Sequence, residues 1–156
     1  MGDLKRFDLF SKLISDYIPK DNRIADISGG KGYLQLAMRQ IGFNNITTYD
    51  KQYKKKNPKL IYRYQFFNYK TTDTFETIVA MHPDEGTDHA LMYALIHYIP
   101  AILCPCCVKP SALLFNESYK FNNWCNHLTR IADKYNRKTE WITLKMNGRN
   151  KVLIML

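Results

Sequence analysis

The most chemically informative feature of the sequence is an acidic residue followed by a glycine-rich turn. Asp26 ends a short apolar run, and the turn over residues 28–32 leads directly into an amphipathic segment. Glycines allow a ligand to lie against the backbone, because side chains at these positions would occupy its space. The helix that follows offers free N–H groups and the positive end of its dipole. Asp50 ends a second short apolar run, which predicts a second acid at the same edge of a sheet.

The acid before the turn distinguishes two kinds of nucleoside ligand. A carboxylate suits a sulfonium or an ammonium group and disfavours a pyrophosphate, and the spacing D-x-S-x-G-x-G differs from the G-x-G-x-x-G of dinucleotide-binding proteins. The pattern resembles the class I S-adenosylmethionine-dependent methyltransferases. The first motif of that family is matched by Asp26, Ser28, Gly30 and Gly32, with serine where the family usually has glycine. The resemblance implies that these residues bind S-adenosyl-L-methionine and that Asp50 holds its ribose hydroxyls.

The adenine end of such a cofactor is expected beside the residues that follow the third strand. Gln65, Phe66 and Asn68 stand there, so an aromatic ring can pack on the base while an amide contacts its edge. The same sequence is compatible with Phe66 or Phe67 as an ordinary core residue, and both interpretations stay open. We predict Gln65 and Phe66 as cofactor-binding residues.

A second group of polar residues follows the apolar strand predicted over residues 77–81. His82, Asp84 and Asp88 are expected at the carboxyl edge of the sheet, where open α/β sheets bind ligands. A hydroxyl acceptor needs a base or an orienting group, and histidine titrates near neutral pH. We predict His82 as the base, with Asp84 or Asp88 orienting its ring or the acceptor. The alternatives are a structural hydrogen bond for His82 and a helix cap for Asp88.

A narrower resemblance concerns this second group and two adjacent cysteines. The pattern is similar to a methyltransferase subgroup that includes tRNA ribose methyltransferases acting on the acceptor stem. The matching residues are His82, Gly86, Thr87, Asp88, Cys106 and Cys107. The resemblance implies RNA as the substrate and a ribose hydroxyl as the acceptor.

The elements that must position these residues alternate between strand and helix. Periodicity and turn signals predict helices over 4–18, 31–41, 87–98 and 119–136, and strands over 23–27, 45–49, 60–64, 77–81 and 112–115. Residues 101–104 form only a short apolar step, and a hairpin joins 139–146 to 151–156. We therefore predict a single α/β domain over residues 1–156. It has a Rossmann-like, mostly parallel sheet, helices on both faces and a C-terminal antiparallel hairpin.

The charge of the chain favours a nucleic-acid partner. The net charge is +9 with a sequence pI of about 9.4, and basic residues concentrate in Lys51–Lys59 and Arg130–Lys151. Such regions attract phosphate backbones. A solvated lysine-rich surface is the alternative. Two other functions remain open at this stage: a non-catalytic nucleic-acid-binding module, and a methyltransferase of a small molecule or protein. A partner subunit for substrate recognition is also conceivable.

The remaining composition predicts a cytoplasmic protein without a membrane segment or a metal. No apolar run reaches the length of a membrane helix. Nothing indicates secretion, so the four cysteines are interpreted as reduced thiols. Cys104, Cys106, Cys107 and Cys125 lack the C-x₂₋₄-C spacing of zinc sites, so no metal is predicted.

Overall fold

A seven-stranded sheet forms the centre of the molecule. The computed structural model describes residues 4–52 and 57–156. The strands lie in the order β3-β2-β1-β4-β5-β7-β6. The strands are β1 Ile24–Ile27, β2 Ile46–Tyr49, β3 Tyr62–Arg63, β4 Thr77–Met81, β5 Ala101–Cys104, β6 Thr139–Thr143 and β7 Lys151–Met155. The first five strands in this order, from β3 to β5, are parallel to their neighbours. β7 is antiparallel to both β5 and β6. The predicted α/β fold with a C-terminal antiparallel hairpin is confirmed.

Helices cover both faces of the sheet, which explains why its central strands are buried along their length. The helices are α1 Lys5–Ser15, α2 Tyr33–Gln40, α3 Thr87–His97 and α4 Phe121–Lys134. Every residue of β1, β4 and β5 is buried. Successive residues of β1 point to opposite faces of the sheet and pack in two different hydrophobic cores. Ile24 packs with α1 and α2, whereas Ala25 packs with α3 and α4. A parallel sheet buried on both faces requires such strands.

Three parts of the secondary structure differ from the sequence prediction. Residues 101–104 form a full strand, β5, between β4 and β7. Residues 112–115 form no strand, because the carboxylate of Asp88 accepts the backbone N–H groups of Ser111, Ala112 and Leu113. These N–H groups therefore cannot form hydrogen bonds with a neighbouring strand. β3 is also shorter than predicted and spans only Tyr62–Arg63.

The parallel topology places the segments after β1, β2, β4 and β5 at one edge of the sheet. The glycine turn follows β1, Asp50 follows β2, and His82 follows β4. Parallel neighbours bring these residues together although they are far apart in sequence. None of the helices formed by the described residues has the length and apolar character needed to cross a membrane.

Candidate functional site

The turn after β1 adopts a backbone that favours glycine. Ser28, Gly30 and Gly32 have φ angles of 54°, 58° and 82°, and Gly32 directly precedes α2. Gly29 packs against the acid beneath the turn, since a Cβ there would lie 2.2 Å from Asp26 Oδ2. The turn therefore rests on the Asp26 carboxyl group without intervening side chains.

Asp26 is a buried carboxyl group with one free oxygen. Its Oδ2 accepts a hydrogen bond from the Thr48 hydroxyl at 2.9 Å, and Thr48 accepts one from the Gln35 amide at 2.8 Å. Asp26 Oδ1 has no hydrogen-bond partner within residues 4–52 and 57–156. Burial raises the pKa of Asp26 to about 7, and the Asp50 charge adds to this while the Thr48 hydrogen bond opposes it. The group can therefore gain or lose a proton near neutral pH.

Asp50 holds the turn from the side of β2. Its Oδ2 accepts the Gly30 N–H at 2.8 Å, and its Oδ1 accepts the Gln52 N–H at 2.9 Å. A carboxylate oxygen can accept more than one hydrogen bond, so both oxygens keep capacity for a hydroxyl. Asp50 itself borders the turn and does not line the cavity described next.

A cavity of about 240 Å³ lies between the turn, the end of β4 and the first turn of α1. Four of the residues predicted from the sequence meet here, namely Asp26, Ser28, Gly30 and His82. Gly32 stays outside, where it packs against Tyr62 and Leu60. The complete lining comprises Arg6, Phe7, Asp26, Ser28, Gly29, Gly30, Lys31, Tyr33, Leu34, Met81 and His82.

Arg6 is a component of this cavity that the sequence did not reveal. Its Nε–H is buried and has no acceptor among the described residues. A buried guanidinium donor is costly to leave unpaired and favours a carboxylate partner. The pattern of α1 shows only an amphipathic helix, so no local signal marks Arg6. Its place depends on how α1 packs across the end of the sheet.

His82 also lines the cavity and has a strained backbone conformation, with φ of 52°. Its Nε2 lies 2.8 Å from the Arg149 carbonyl. A carbonyl can only accept, so Nε2 carries the proton and Nδ1 keeps a lone pair. Burial lowers the pKa of His82, outweighing the opposite effects of the Arg149 carbonyl and Asp84. The neutral ring can therefore accept a proton at neutral pH.

Asp84 faces the segment after β5 and is not part of the cavity wall. Its Oδ1 accepts hydrogen bonds from Cys107 Sγ at 3.1 Å and Cys106 Sγ at 3.4 Å, and Lys109 Nζ lies 3.4 Å away. Burial raises the pKa of Asp84, but these thiols and the lysine together bring it below its ordinary value. Asp84 is thus an ionised group beside the ends of β4 and β5.

Asp88 holds backbone groups of the segment after β5, and its predicted role at the reacting atoms stays a prediction. It is fully buried on α3. Its Oδ2 accepts three backbone N–H groups, from Ser111 at 2.8 Å, Ala112 at 2.8 Å and Leu113 at 3.0 Å. The carboxylate therefore fixes the segment after β5, and it does not line the cavity.

Gly86 brings the segment after β4 into contact with the glycine turn. A Cβ at Gly86 would lie 2.8 Å from Ser28 Oγ and 3.1 Å from Ile27 Cγ2. Its φ of −82° is ordinary, so the requirement for glycine here is close approach and not backbone conformation. The serine in the turn and the glycine after β4 thus form one packed contact.

Gln65 and Phe66 line a second cavity of about 440 Å³, separate from the glycine turn. Phe67 is buried in the core with Tyr49, whereas Phe66 is half-buried, and its edge packs on His89 with ring centroids 5.0 Å apart. Phe67 is thus a core residue, and the cofactor contact of Phe66 stays a prediction. The predicted adenine-side residues do not share one cavity with Asp26.

Among the described residues, the two predicted basic regions contain both paired and exposed side chains. In the first, Lys54, Lys55 and Lys56 lie outside the described residues, and Lys51 pairs with Glu85. In the second region, Arg130 pairs with Glu117. Arg137 is buried and donates to the carbonyls of Ala94 and Ile99, so it supports the fold. Arg149 and Lys151 stay exposed at the hairpin that contacts His82.

Comparison with known proteins shows which solved structures share this fold. No family model and no curated protein matches the chain. Among solved structures, the Burkholderia thailandensis 1,6-didemethyltoxoflavin-N1-methyltransferase, crystallised with S-adenosylhomocysteine, has a TM-score of 0.63 at 10% identity. The match covers 98% of this chain and 77% of that one. The fold is thus the α/β fold of S-adenosylmethionine-dependent methyltransferases.

Other solved structures with this fold act on different kinds of acceptor. A ribosomal protein methylase from Lactobacillus delbrueckii subsp. bulgaricus has a TM-score of 0.62 at 12% identity, covering 100% of this chain and 80% of that one. An RNA methyltransferase candidate from Pyrococcus horikoshii has a TM-score of 0.55 at 12% identity, covering 94% and 79%. The fold therefore does not select the acceptor, which must be argued from this chain's own residues.

Proposed function

We propose that this protein is an S-adenosylmethionine-dependent methyltransferase that acts on RNA. The observation that carries the proposal is the cavity in which Asp26, Arg6 and His82 meet at the glycine turn. When bound, S-adenosylmethionine supplies a methyl group on a positively charged sulfur. Its amino-acid end carries an ammonium and a carboxylate. Asp26 Oδ1 and Arg6 Nε–H, which have no partner among the described residues, are complementary in charge to these two groups.

The other cofactor contacts follow from position around the turn. Ser28 and Gly30 are proposed to border the ligand in the cavity, and Gly32 is proposed to support the turn through its positive φ directly before α2. Asp50 is proposed to accept the ribose hydroxyls with the capacity left on its carboxylate. Gln65 and Phe66 are proposed to contact the adenine from the second cavity, which both residues line.

His82 is proposed to take the proton from the acceptor hydroxyl. Its Nε2–H is fixed on the Arg149 carbonyl, which leaves Nδ1 as the basic atom and sets the plane of the ring. Asp84, two residues after His82 in the sequence, is proposed to orient the acceptor. Its pKa is lowered, so the carboxylate is ionised at neutral pH. Asp88 acts through the segment that it holds. Positioning of the acceptor supplies a further part of the rate.

RNA is proposed as the substrate on the basis of charge and of the narrower resemblance. The net charge of +9 favours a polyanion, and Arg149 and Lys151 present exposed charge on the hairpin next to His82. The ribose hydroxyl as acceptor rests on the similarity of the segment after β4 to tRNA ribose methyltransferases. Small-molecule and protein acceptors are distinguished by the experiment below.

A methyl-transfer assay with labelled cofactor and total tRNA tests the proposal. Wild type is expected to label RNA, and His82→Ala is expected to lose about 100-fold or more of the rate while keeping cofactor affinity. His97→Gln, an exposed histidine outside the cavity, is the matched control and is expected to keep full activity. Equal rates for His82→Ala and wild type would remove His82 from this role.

Salt dependence separates RNA from other acceptors. Lys151→Gln is expected to reduce the slope of log affinity against log salt by about 1, as loss of one phosphate contact does. Lys20→Gln, at an exposed position between α1 and β1, is the control and should keep the wild-type slope. Methyl transfer without detectable RNA binding at low salt would instead indicate a small-molecule or protein acceptor.

A further inference from the structure

Three potential metal ligands converge where the segments after β4 and β5 meet. The sulfur atoms of Cys106 and Cys107 lie 3.4 Å apart. Asp84 Oδ1 lies 3.4 Å from the Cys106 sulfur and 3.1 Å from the Cys107 sulfur. All three ligand atoms fall within 4.8 Å of one another. Two thiols and a carboxylate in this arrangement resemble one face of a coordination tetrahedron.

The sheet fixes this arrangement from both sides. Met81 at the end of β4 pairs with Cys104 at the end of β5, and the His82 N–H donates to the Cys104 carbonyl at 2.8 Å. Asp84 and Cys106 stand three and two residues beyond that paired position. The ligands are therefore positioned by strand pairing, and the site does not depend on a flexible segment finding its geometry.

The distances suit a small thiophilic cation. Zn²⁺ binds thiolate at about 2.3 Å and carboxylate oxygen at about 2.0–2.2 Å in tetrahedral sites. Tetrahedral angles then require sulfur atoms about 3.8 Å apart and sulfur–oxygen separations of about 3.5 Å. The observed separations need to open by only a few tenths of an ångström. Adjacent cysteines do not match the usual C-x₂₋₄-C spacing, and the third ligand comes from another strand, so sequence spacing alone could not indicate this site.

Charge at the site is nearly balanced when an ion is bound. We propose that Cys106, Cys107 and Asp84 bind one thiophilic divalent cation such as Zn²⁺, with a fourth position open. Binding converts both thiols to thiolates and releases two protons to solvent. Three ligand charges and a divalent ion leave one net negative charge, and Lys109 Nζ lies 3.4 Å from Asp84 Oδ1 to offset it.

The three ligands lie after β4 and β5, at the same edge of the sheet as His82. Three protein ligands with an open fourth position are typical of zinc sites that bind a water molecule or a substrate atom, whereas structural sites are closed by four ligands. Asp84 is exposed, so the site is reachable from solvent. None of these ligands lines the cofactor cavity. Asp84 is shared with the proposed methyl transfer, whereas Cys106 and Cys107 are not, so the two cysteine variants test ion binding separately from the reaction.

Cadmium titration of the reduced, metal-free full-length chain tests this proposal. Cd²⁺ is the probe because its bond to thiolate gives an ultraviolet charge-transfer band, and Zn²⁺ affinity is then measured by competition. Wild type is expected to saturate with one Cd²⁺ per chain. Cys106→Ser and Cys107→Ser are each expected to weaken binding by about 10-fold or more. Cys125→Ser, which removes a buried cysteine of α4 outside the cluster, is the matched control and should leave binding unchanged.

Asp84→Asn keeps the test valid if the cysteine variants do not fold. This side chain is exposed and the replacement is conservative, so the variant is expected to fold. It is expected to weaken Cd²⁺ about 10-fold while the far-ultraviolet circular dichroism stays that of wild type. Absence of saturable binding to wild type would overturn the proposal. Equal affinity in wild type and in folded Asp84→Asn and Cys107→Ser would overturn it as well.

Discussion

Replacing Asp26 with asparagine is expected to remove a pH dependence of stability that the buried carboxyl imposes. The pKa of Asp26 is about 7 in the folded protein, against 3.8 for an ordinary aspartate. The folded state therefore holds this proton more tightly than the unfolded chain. The resulting stabilisation is complete below the unfolded pKa and is lost as pH rises through the folded pKa. Asparagine does not titrate, so its contribution to the free energy of unfolding is the same at every pH.

The size of the effect follows from the two pKa values. Each pH unit between 3.8 and about 7 corresponds to about 1.4 kcal/mol, so the full change is about 4 kcal/mol. About 3 kcal/mol of it falls between pH 5 and pH 8. The asparagine oxygen can keep the Thr48 hydrogen bond, while its amide replaces the unpaired Oδ1 at a pH-independent cost of about 1–3 kcal/mol.

Urea denaturation at pH 5, 6, 7 and 8, followed by circular dichroism, measures this difference. Burial lowers the pKa of His82, His89 and His127, and the resulting slope is expected in both proteins and cancels in the difference. The free energy of unfolding of Asp26→Asn relative to wild type should rise by about 3 kcal/mol from pH 5 to pH 8. Parallel curves for the two proteins would refute the reasoning about the buried carboxyl.

Two further predictions concern the segments that frame the site. Asp88→Ala leaves three partly buried N–H groups without their acceptor and is expected to lower the free energy of unfolding by about 3 kcal/mol in urea denaturation. Asp88→Asn keeps one acceptor and should lose less; an equal loss would contradict the role given to the carboxylate. Gly86→Ala places a methyl group against Ser28 Oγ and is expected to lower stability by about 1–3 kcal/mol. Gly148→Ala is the control for adding a methyl group, because a Cβ at Gly148 contacts no other atom and only the positive φ adds strain. A smaller loss of stability for Gly86→Ala than for Gly148→Ala would contradict the close contact at Gly86.

Local patterns in the sequence were sufficient to predict most of the fold. The strands and helices around the glycine turn follow from periodicity and turn residues, and β4 was predicted with the bounds that the structure has. The strand predicted over 112–115 was wrong because a carboxylate 23 residues or more away, on Asp88, takes its N–H groups. Ala101–Cys104 was too short to be distinguished from a connecting segment, and its pairing with β4 and β7 makes it β5.

The candidate site was predictable only where its residues form a continuous motif. Asp26, Ser28 and Gly30 come from one turn, and His82 follows a strand that a buried apolar run identifies. Arg6 reaches the same cavity because α1 packs across the sheet, which no short-range spacing encodes. The convergence of Asp84 with the two cysteines likewise depends on the pairing of β4 with β5.

Calorimetric titration of the protein with S-adenosylmethionine tests the central claim most directly. Wild type is expected to bind one equivalent, and more tightly at pH 8 than at pH 6, because the ionised Asp26 carboxylate attracts the cationic end of the ligand. Arg6→Gln is expected to weaken binding by about 10-fold or more, since the ligand carboxylate loses a charged donor. Absence of binding at millimolar ligand, or binding that is indifferent both to Arg6→Gln and to pH, would contradict the assignment of this cavity.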